Sequence, residues 1–227
     1  MATIKKTNFD FLKKLTKNNN REWFTENKGL YEVNREEVIK FADEVLVLLN
    51  KHDNIETVSG KKALFRIYRD VRFSKDKTPY KTNYSASFTR ATKLLRGGYY
   101  LHLEPGNSFI GGGFWGPSSA DLKLIRNNIL EFGDELKAII ISKEFVSNFG
   151  ELEGDKLKTA PKGFDKNHKQ IELLRYKQFL AVKRFSDEEV LGKDFSLKVS
   201  NGFAAMRPFF DYMSEALTTN ADGESLY

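Results

Sequence analysis

Apolar residues recur three or four positions apart in three long stretches of the chain, a spacing that predicts amphipathic helices. The first stretch runs from about Gly29 to Asn50, and the second runs from Ser118 through Ile139, with Ser118 as its predicted N-cap. The third runs from Phe195 to Leu217 and contains Pro208, which we expect to kink or split the helix. Shorter helices are predicted over residues 168–175 and after four residues of types that cap helix N-termini, namely Thr7, Asn20, Ser142 and Ser186.

Strand signals lie mainly between the first two long helices. Alternating or β-prone segments predict strands at residues 64–73, 84–89, 98–104, 108–115 and 178–185. Pro105-Gly106-Asn107 is a strong hairpin signal between two of these strands. Gly111-Gly112-Gly113 predicts a bulge or a close backbone approach in the strand that contains it. Residues 51–60 are predicted to form a loop, and residues 156–164 a further strand and a turn.

The order of these elements predicts an α+β fold. We expect an antiparallel sheet with a central hairpin, and helices from the N- and C-terminal parts of the chain packed on it. No repeat, low-complexity segment or linker interrupts the 227 residues. The simplest interpretation is one domain over residues 1–227, with loose ends at about 1–6 and 219–227.

Composition points to a cytoplasmic protein. The chain contains no cysteine, which favours a reducing compartment and excludes thiol nucleophiles and iron–sulfur clusters. The first ten residues contain no apolar run, so we expect no signal peptide. No apolar stretch approaches the length of a membrane span, so we expect no membrane partner.

The net charge of +6 comes from one segment of the chain. The whole sequence has 37 basic and 31 acidic residues, with histidine taken as neutral. Residues 61–81 hold eight basic and two acidic residues, so the excess of this segment equals that of the whole chain. Such a concentration favours an anionic partner.

The basic segment contains the candidate site. As a strand, it would present Arg66, Tyr68, Asp70 and Arg72 on one face and Arg69 on the apolar face, where Arg69 would need a carboxylate or carbonyl partner. Arg66 and Arg72 can converge on a phosphate or carboxylate, with Asp70 holding one guanidinium in place. The candidate anion site comprises Arg66, Tyr68, Arg69, Asp70, Arg72, Lys75, Lys77, Tyr80, Lys81 and His102. The alternative is that the segment is a structural network of ion pairs.

His102 is the histidine of most chemical interest. It is expected to share a strand face with Tyr100 and Glu104, where it can act as a general acid or base or serve only as a structural histidine. The three histidines form no metal-binding motif, so no metal site is predicted. Trp23 and Phe24 are interpreted as core residues rather than as a stacking platform for bases.

The sequence resembles the family called domain of unknown function 2461. The resemblance rests on several motifs that together cover most of the chain: Asn19-Asn20-Arg21-Glu22-Trp23-Phe24 with Asn27-Lys28 and Tyr31, the segment from Phe65 to Lys81, Tyr99 to Gly106, Gly111 to Trp115, and Pro161 to Asp165. It implies that the basic segment and the Asn-Arg-Glu-Trp-Phe turn are hallmarks of the family. It implies no activity, because none is assigned to that family.

Two functional hypotheses follow from the basic segment. The first is a small-molecule binding protein or enzyme that holds a phosphorylated or carboxylated ligand in an Arg/Tyr-rich pocket on the sheet. The alternative is a nucleic-acid or polyanion-binding module, which ranks lower because Asp70 and Asp76 interrupt the basic run. A third reading is that the segment builds the core or a subunit interface. The cofactor, the reaction and the oligomeric state are not predicted.

Overall fold

A computed structural model describes residues 2–220 and 224–226. Within these residues the chain forms ten helices and four strands. The helices are α1 (Lys6–Lys17), α2 (Arg21–Glu26), α3 (Lys28–Leu49), α4 (Gly60–Ala63), α5 (Ser119–Ile140), α6 (Lys143–Phe149), α7 (Ile171–Leu174), α8 (Asp187–Val190), α9 (Phe195–Ala205) and α10 (Arg207–Thr218). No helix in this described part has the length and apolar character needed to cross a membrane.

The four strands form one antiparallel sheet, and the predicted α+β class is confirmed. The strands are β1 (Tyr84–Thr89), β2 (Gly98–Leu103), β3 (Ser108–Phe114) and β4 (Phe179–Phe185), and they lie in this order across the sheet. The predicted hairpin joins β2 to β3, where the Asn107 amide donates to the Glu104 carbonyl at 3.0 Å. Gly106 takes a positive φ of 78° in this turn, a conformation that glycine adopts without strain.

The chain divides into two compact units, and each strand has residues in both. The first unit is Met1–Phe88, Tyr100–Ile110 and Arg184–Asn201. Its core contains the buried faces of α1 and α3, and the rings of Phe41 and Phe195 stack with their centroids 5.4 Å apart. Asn8 and Asn34 are buried between these faces, where Asn8 Nδ2 donates to the Asn34 carbonyl at 3.1 Å.

The second unit is Thr89–Tyr99, Gly111–Lys183 and Gly202–Tyr227. Its core lies between α5 and α10, which contribute buried Ile129 and Phe209 respectively. One domain over residues 1–227 stays a prediction. The predicted loose end at 219–227 lies partly outside the described residues. At the other end, Ile4 is buried and the Ala2 amide donates to Glu44.

Helix boundaries follow the predicted caps closely. Asn20, Ser118, Ser142 and Ser186 each accept a hydrogen bond from the backbone amide three residues ahead, as N-caps do. The last long helical stretch is split into α9 and α10, and Pro208 lies in the first turn of α10, where a missing amide costs least. The cap predicted at Thr7 is wrong by two residues, because α1 already begins after Lys5.

The strand predicted at residues 64–73 is absent. The segment is irregular and joins neighbouring chain only through isolated bridges at Leu64 and Tyr68. Two aspartate side chains accept hydrogen bonds from backbone amides two residues ahead. Asp70 accepts from the Arg72 amide at 3.2 Å, and Asp76 accepts from the Thr78 amide at 2.9 Å. Such local bonds compete with a strand ladder, so the alternating pattern does not produce a strand.

Two shorter predictions also need correction. Residues 156–164 contain no strand, and only Lys156 forms a bridge, with Tyr176. The predicted loop 51–60 ends in α4, whose first turn is capped by the Ser59 hydroxyl. The predicted helix 168–175 is confirmed only over Ile171–Leu174.

Candidate functional site

The basic segment doubles back on itself before β1. The Arg69 amide donates to the Pro79 carbonyl at 2.9 Å, and the Lys81 amide donates to the Ile67 carbonyl at 2.7 Å. These bonds place the start of the segment beside its end. As a result, Arg69 and Lys81, which are twelve residues apart in sequence, line the same cleft.

The cleft is open to solvent and has a volume of about 460 Å³. It is lined by Phe65, Arg69, Asp70, Lys81, Asn83, Ser85 and Tyr100. A smaller depression of about 200 Å³ shares Arg69, Lys81 and Asn83 with it and extends to Asn19, Asp76, Thr78, Tyr80 and Thr82. We call the larger depression the Lys81 cleft.

Lys81 is the half-buried cation of this cleft. Its Nζ lies 5.2 Å from the centroid of the Phe65 ring, a cation–π distance. Within the described residues no carboxylate and no hydrogen-bond acceptor pairs with this ammonium. Burial lowers the pKa of Lys81, and the positive charge of Arg66 lowers it further. Arg66 is exposed, and it has no ion-pair partner among the residues that the structure describes.

Arg69 has the partners that its sequence position called for. Its Nη1 donates to Asp76 Oδ2 at 2.5 Å and to the Thr78 carbonyl at 3.0 Å, and it also contacts the Thr78 hydroxyl. The expected carboxylate and carbonyl partners are therefore confirmed, although they come from the adjoining loop. All of these bonds use Nη1, and within the described residues Nε and Nη2 make no hydrogen bond.

The outer part of the basic segment is not in the cleft. Arg72 binds Asp70 through Nη2 at 2.6 Å, which confirms that Asp70 holds one guanidinium in place. The hydrogen bonds from Arg72 hold the pKa of Asp70 below its ordinary value. Lys77 Nζ donates to the Val71 carbonyl at 2.9 Å, and Lys75 is exposed. The convergence of Arg66 and Arg72 on one anion stays a prediction.

Tyr68 and Tyr80 do not line the Lys81 cleft and belong to an aromatic cluster with Phe24. The Tyr80 ring stacks on Phe24 with centroids 4.0 Å apart, and the Tyr68 ring lies 5.5 Å from Tyr80. Phe24 is 3% exposed, in line with its interpretation as a core residue. This cluster braces the end of the basic segment against α2, so Tyr80 has a structural part in the site.

His102 lies in a chain of hydrogen bonds on one face of β2. Its Nδ1 is 3.2 Å from the Tyr100 hydroxyl, and its Nε2 is 3.1 Å from Glu104 Oε2. The expectation that these three residues share a strand face is met. The imidazole also stacks on Phe109, with ring centroids 4.7 Å apart.

Glu104 ends this series of hydrogen bonds, and two further side chains donate to its carboxylate. Thr82 Oγ1 donates to its Oε1 at 2.8 Å, and Asn107 Nδ2 donates to its Oε2 at 2.9 Å. Burial alone would raise the pKa of Glu104, but hydrogen bonds from Asn107, Thr82 and His102 outweigh burial and hold that pKa below its ordinary value. The carboxylate therefore stays ionised at neutral pH.

Four lining residues were missing from the predicted site: Phe65, Asn83, Ser85 and Tyr100. A signal for two of them is present in the sequence, because Lys81, Asn83 and Ser85 alternate with a period of two as the chain enters β1. Extending β1 backwards by that period would have placed all three on one face. Among the described residues no group of three or more metal-ligating side chains comes together.

These features define an α+β protein with an open cationic cleft beside its sheet. The chain belongs to the family of conserved hypothetical proteins DUF2461, whose model matches residues 7–212. No curated protein and no solved structure matches the chain significantly.

Proposed function

We propose that the protein binds a small oxyanion of the phosphate or carboxylate class in the Lys81 cleft. The observation that carries this proposal is the half-buried Lys81 ammonium, which forms no ion pair with a described carboxylate, although Asp70 also lines the cleft. Removing a cation from water costs free energy unless an anion or acceptor compensates. A bound oxyanion would supply that compensation.

The surrounding side chains support the same ligand class. Asn83 and Ser85 line the cleft beside Lys81 and carry hydrogen-bond donors, and Arg69, which also lines it, carries charged ones. Charge-assisted hydrogen bonds of this kind are short and strong. Because the cleft is open, we expect a ligand that stays partly hydrated, such as the phosphate or carboxylate end of a small metabolite. The reducing compartment favoured by the absence of cysteine makes the cytoplasm the proposed location.

A second candidate is a polyanion surface on the outer loop. Phe73 is 96% exposed there, and the Arg72 guanidinium lies 5.9 Å from its ring centroid. Exposed aromatic rings among cations suit stacked bases and phosphates of a single-stranded nucleic acid. It ranks second because Asp70 and Asp76 each pair with one of the arginines, which reduces the positive charge available to a polyanion.

Calorimetric titration with sulfate and with acetate tests the proposal. Lys81→Gln should weaken sulfate binding about tenfold or more, since a charge-assisted bond contributes about 1.5–3 kcal/mol. Lys75→Gln is the matched control, because it removes the same charge from an exposed position of the same segment outside the cleft. Equal binding by Lys81→Gln and the unaltered protein would contradict the proposal.

A short single-stranded oligonucleotide distinguishes the second candidate. Binding that weakens with Phe73→Ala, fades with added salt and survives Lys81→Gln would place the anionic partner on the outer loop. Under the first proposal, Phe73→Ala leaves sulfate binding unchanged, because Phe73 does not line the cleft.

A further inference from the structure

The Tyr100 hydroxyl links the Lys81 cleft to a titratable group. Tyr100 lines the cleft together with Ser85, whose hydroxyl partly offsets the effect of burial on the pKa of Tyr100. The Tyr100 hydroxyl is 3.2 Å from His102 Nδ1, and the other ring nitrogen of His102 binds Glu104. A change in the charge of His102 therefore reaches the cleft through one oxygen atom.

The partners of neutral His102 determine which of its nitrogens carries the proton. The ionised Glu104 carboxylate can only accept, so Nε2 must donate to it and Nδ1 is left as an acceptor. The Tyr100 O–H then donates to Nδ1. Burial raises the pKa of Tyr100, so its phenol keeps this proton at neutral pH.

A phenol has one proton and two lone pairs, which limits what Tyr100 can offer a ligand. With His102 neutral, the Tyr100 proton points at Nδ1, and only lone pairs of the Tyr100 oxygen remain for the cleft. A lone pair repels an oxyanion. With His102 protonated, Nδ1–H donates to the Tyr100 oxygen, and the Tyr100 proton turns to the cleft side, where Ser85 Oγ or a bound oxyanion can accept it.

We propose that protonation of His102 turns the Tyr100 hydroxyl from an inward donor into a donor toward the Lys81 cleft, so that oxyanion binding is coupled to proton uptake. This inference rests on the proposed function and adds the protonation state that binds. Tyr100 is the group that contacts the ligand, and His102 and Glu104 are positioning residues that act through it.

The groups around His102 are consistent with this coupling. On β2 it faces Tyr100 and Glu104, and from β3 it meets the uncharged ring of Phe109. Thr82 and Asn107 add neutral donors to Glu104. The hairpin turn carries a further acidic contact, because Asp187 accepts from the Gly106 amide and lies 3.8 Å from Lys13 Nζ. The cleft itself contributes the charges of Lys81, Arg69 and Asp70.

The sign of the pH dependence follows directly. The oxyanion prefers the protonated form of His102, so binding is strongest where His102 is protonated and weakens as rising pH removes that proton. Once His102 is neutral, the apparent Kd should rise by at most about tenfold per pH unit. Lys81 deprotonation would act in the same direction, so a variant must separate the two.

The experiment is calorimetric titration with sulfate between about pH 5.5 and about pH 8, in buffers of different ionisation enthalpy. Sulfate keeps its charge over this range, so any proton uptake belongs to the protein. The unaltered protein should take up as much as about one proton per sulfate bound near the histidine titration. His102→Gln and Tyr100→Phe should each bind sulfate without proton uptake, while His168→Gln should behave as the unaltered protein. Thermal melts confirm that each variant is folded.

The outcomes separate the two proposals. Sulfate binding with proton uptake that disappears in both His102→Gln and Tyr100→Phe supports the coupling. Sulfate binding that is independent of pH, or uptake that persists in His102→Gln, overturns the coupling and leaves the oxyanion cleft standing. Absence of sulfate binding at every pH overturns both.

Discussion

Asn19 and Tyr80 exchange two hydrogen bonds, although they lie sixty-one residues apart in sequence. Asn19 Nδ2 donates to the Tyr80 carbonyl at 2.9 Å, and Asn19 Oδ1 accepts from the Tyr80 amide at 3.1 Å. One side-chain amide thereby pairs with both backbone groups of one residue, as a neighbouring strand would. The turn before α2 thus holds the residue next to Lys81 in place.

The first prediction concerns this pairing. Asn19→Ala removes both hydrogen bonds and leaves two backbone groups of Tyr80 without partners, so we expect the free energy of unfolding to fall by about 1–3 kcal/mol. For a chain of this length the corresponding fall in Tm is several degrees, at about 2–4 °C per kcal/mol. Urea unfolding and thermal melts measure both.

Asn201→Ala is the matched control, because Asn201 is exposed on α9 and makes no side-chain hydrogen bond in the described residues. It should shift stability by no more than about 0.5 kcal/mol. Asn19→Asp refines the test, since it retains the acceptor and loses the donor. Its free energy of unfolding should lie between those of the Asn19→Ala and Asn201→Ala variants. Equal stability of the Asn19→Ala and Asn201→Ala variants would contradict the structural importance of the pair.

Local signals explain how much of this fold could be predicted. The predicted bounds of β1 match the observed ones, and the predicted caps at Asn20, Ser118, Ser142 and Ser186 are confirmed. Each of these predictions depends only on residues close to one another in sequence. The segment from Phe65 to Phe73 shows the limit of periodicity. Its alternation is real, but Phe73 is 96% exposed, because the aspartates bind nearby amides and turn the chain outward.

The candidate site shows the same division. The shared face of Tyr100, His102 and Glu104 could be predicted, because alternation along a strand requires nothing from the rest of the fold. The partner of Arg69 could be specified by type but not by residue, since Asp76 reaches it only through the turn at residues 70–78. Lys81 could be listed as a cation. Of the two cations that line the cleft, Arg69 has a carboxylate partner and Lys81 has none among the described residues, and this difference depends on how the segment folds back.

The second prediction concerns the glycine run in β3. A Cβ at Gly112 would lie 2.6 Å from Met206 Sδ and 2.6 Å from Phe210 Cζ, so a side chain there requires these two buried side chains to move. Gly112→Ala should therefore destabilise the protein by about 1–3 kcal/mol. Close packing therefore accounts for a glycine at this position.

Gly116→Ala provides the control for Gly112, because a Cβ there meets no atom within 4 Å. Its effect should stay within about 0.5 kcal/mol, as measured by urea unfolding. A Gly112→Ala variant as stable as Gly116→Ala would show that the close approach is absent in solution.

The third prediction concerns the buried guanidinium of Arg90. Its side chain is 0% exposed and donates to Asp211 Oδ1 at 2.8 Å, with neutral acceptors at the Arg96 carbonyl and Ser214 Oγ. Asp211→Asn removes the negative charge and keeps the shape. We expect a loss of about 1–3 kcal/mol in unfolding free energy, because the buried guanidinium then loses the charge of a directly bonded carboxylate.

The exposed pair of Lys177 and Asp155, 3.4 Å apart, supplies the comparison. Asp155→Asn should cost less than about 1 kcal/mol, since surface pairs are screened by water. Added salt should reduce the small Asp155 effect and leave most of the Asp211 effect. If both variants lose the same stability and respond alike to salt, burial of Arg90 does not strengthen its pair.

The fourth prediction concerns the acid sensitivity of Glu104. Hydrogen bonds hold the pKa of Glu104 below its ordinary value in the folded protein, even though burial opposes them. The unfolded chain therefore binds a proton at higher pH than the folded chain does. The stability that Glu104 contributes is present above the ordinary glutamate pKa of about 4.3 and is lost as the pH falls through the lower, folded value.

Glu104→Gln should remove this part of the pH dependence, so the variant and the unaltered protein should differ most in unfolding free energy at neutral pH and converge in acid. Glu188→Gln, which replaces an exposed glutamate of α8, should not flatten the curve. Urea unfolding from about pH 3 to about pH 7 measures all three proteins, and parallel curves for Glu104→Gln and the unaltered protein would show that the carboxylate is not held as the geometry indicates.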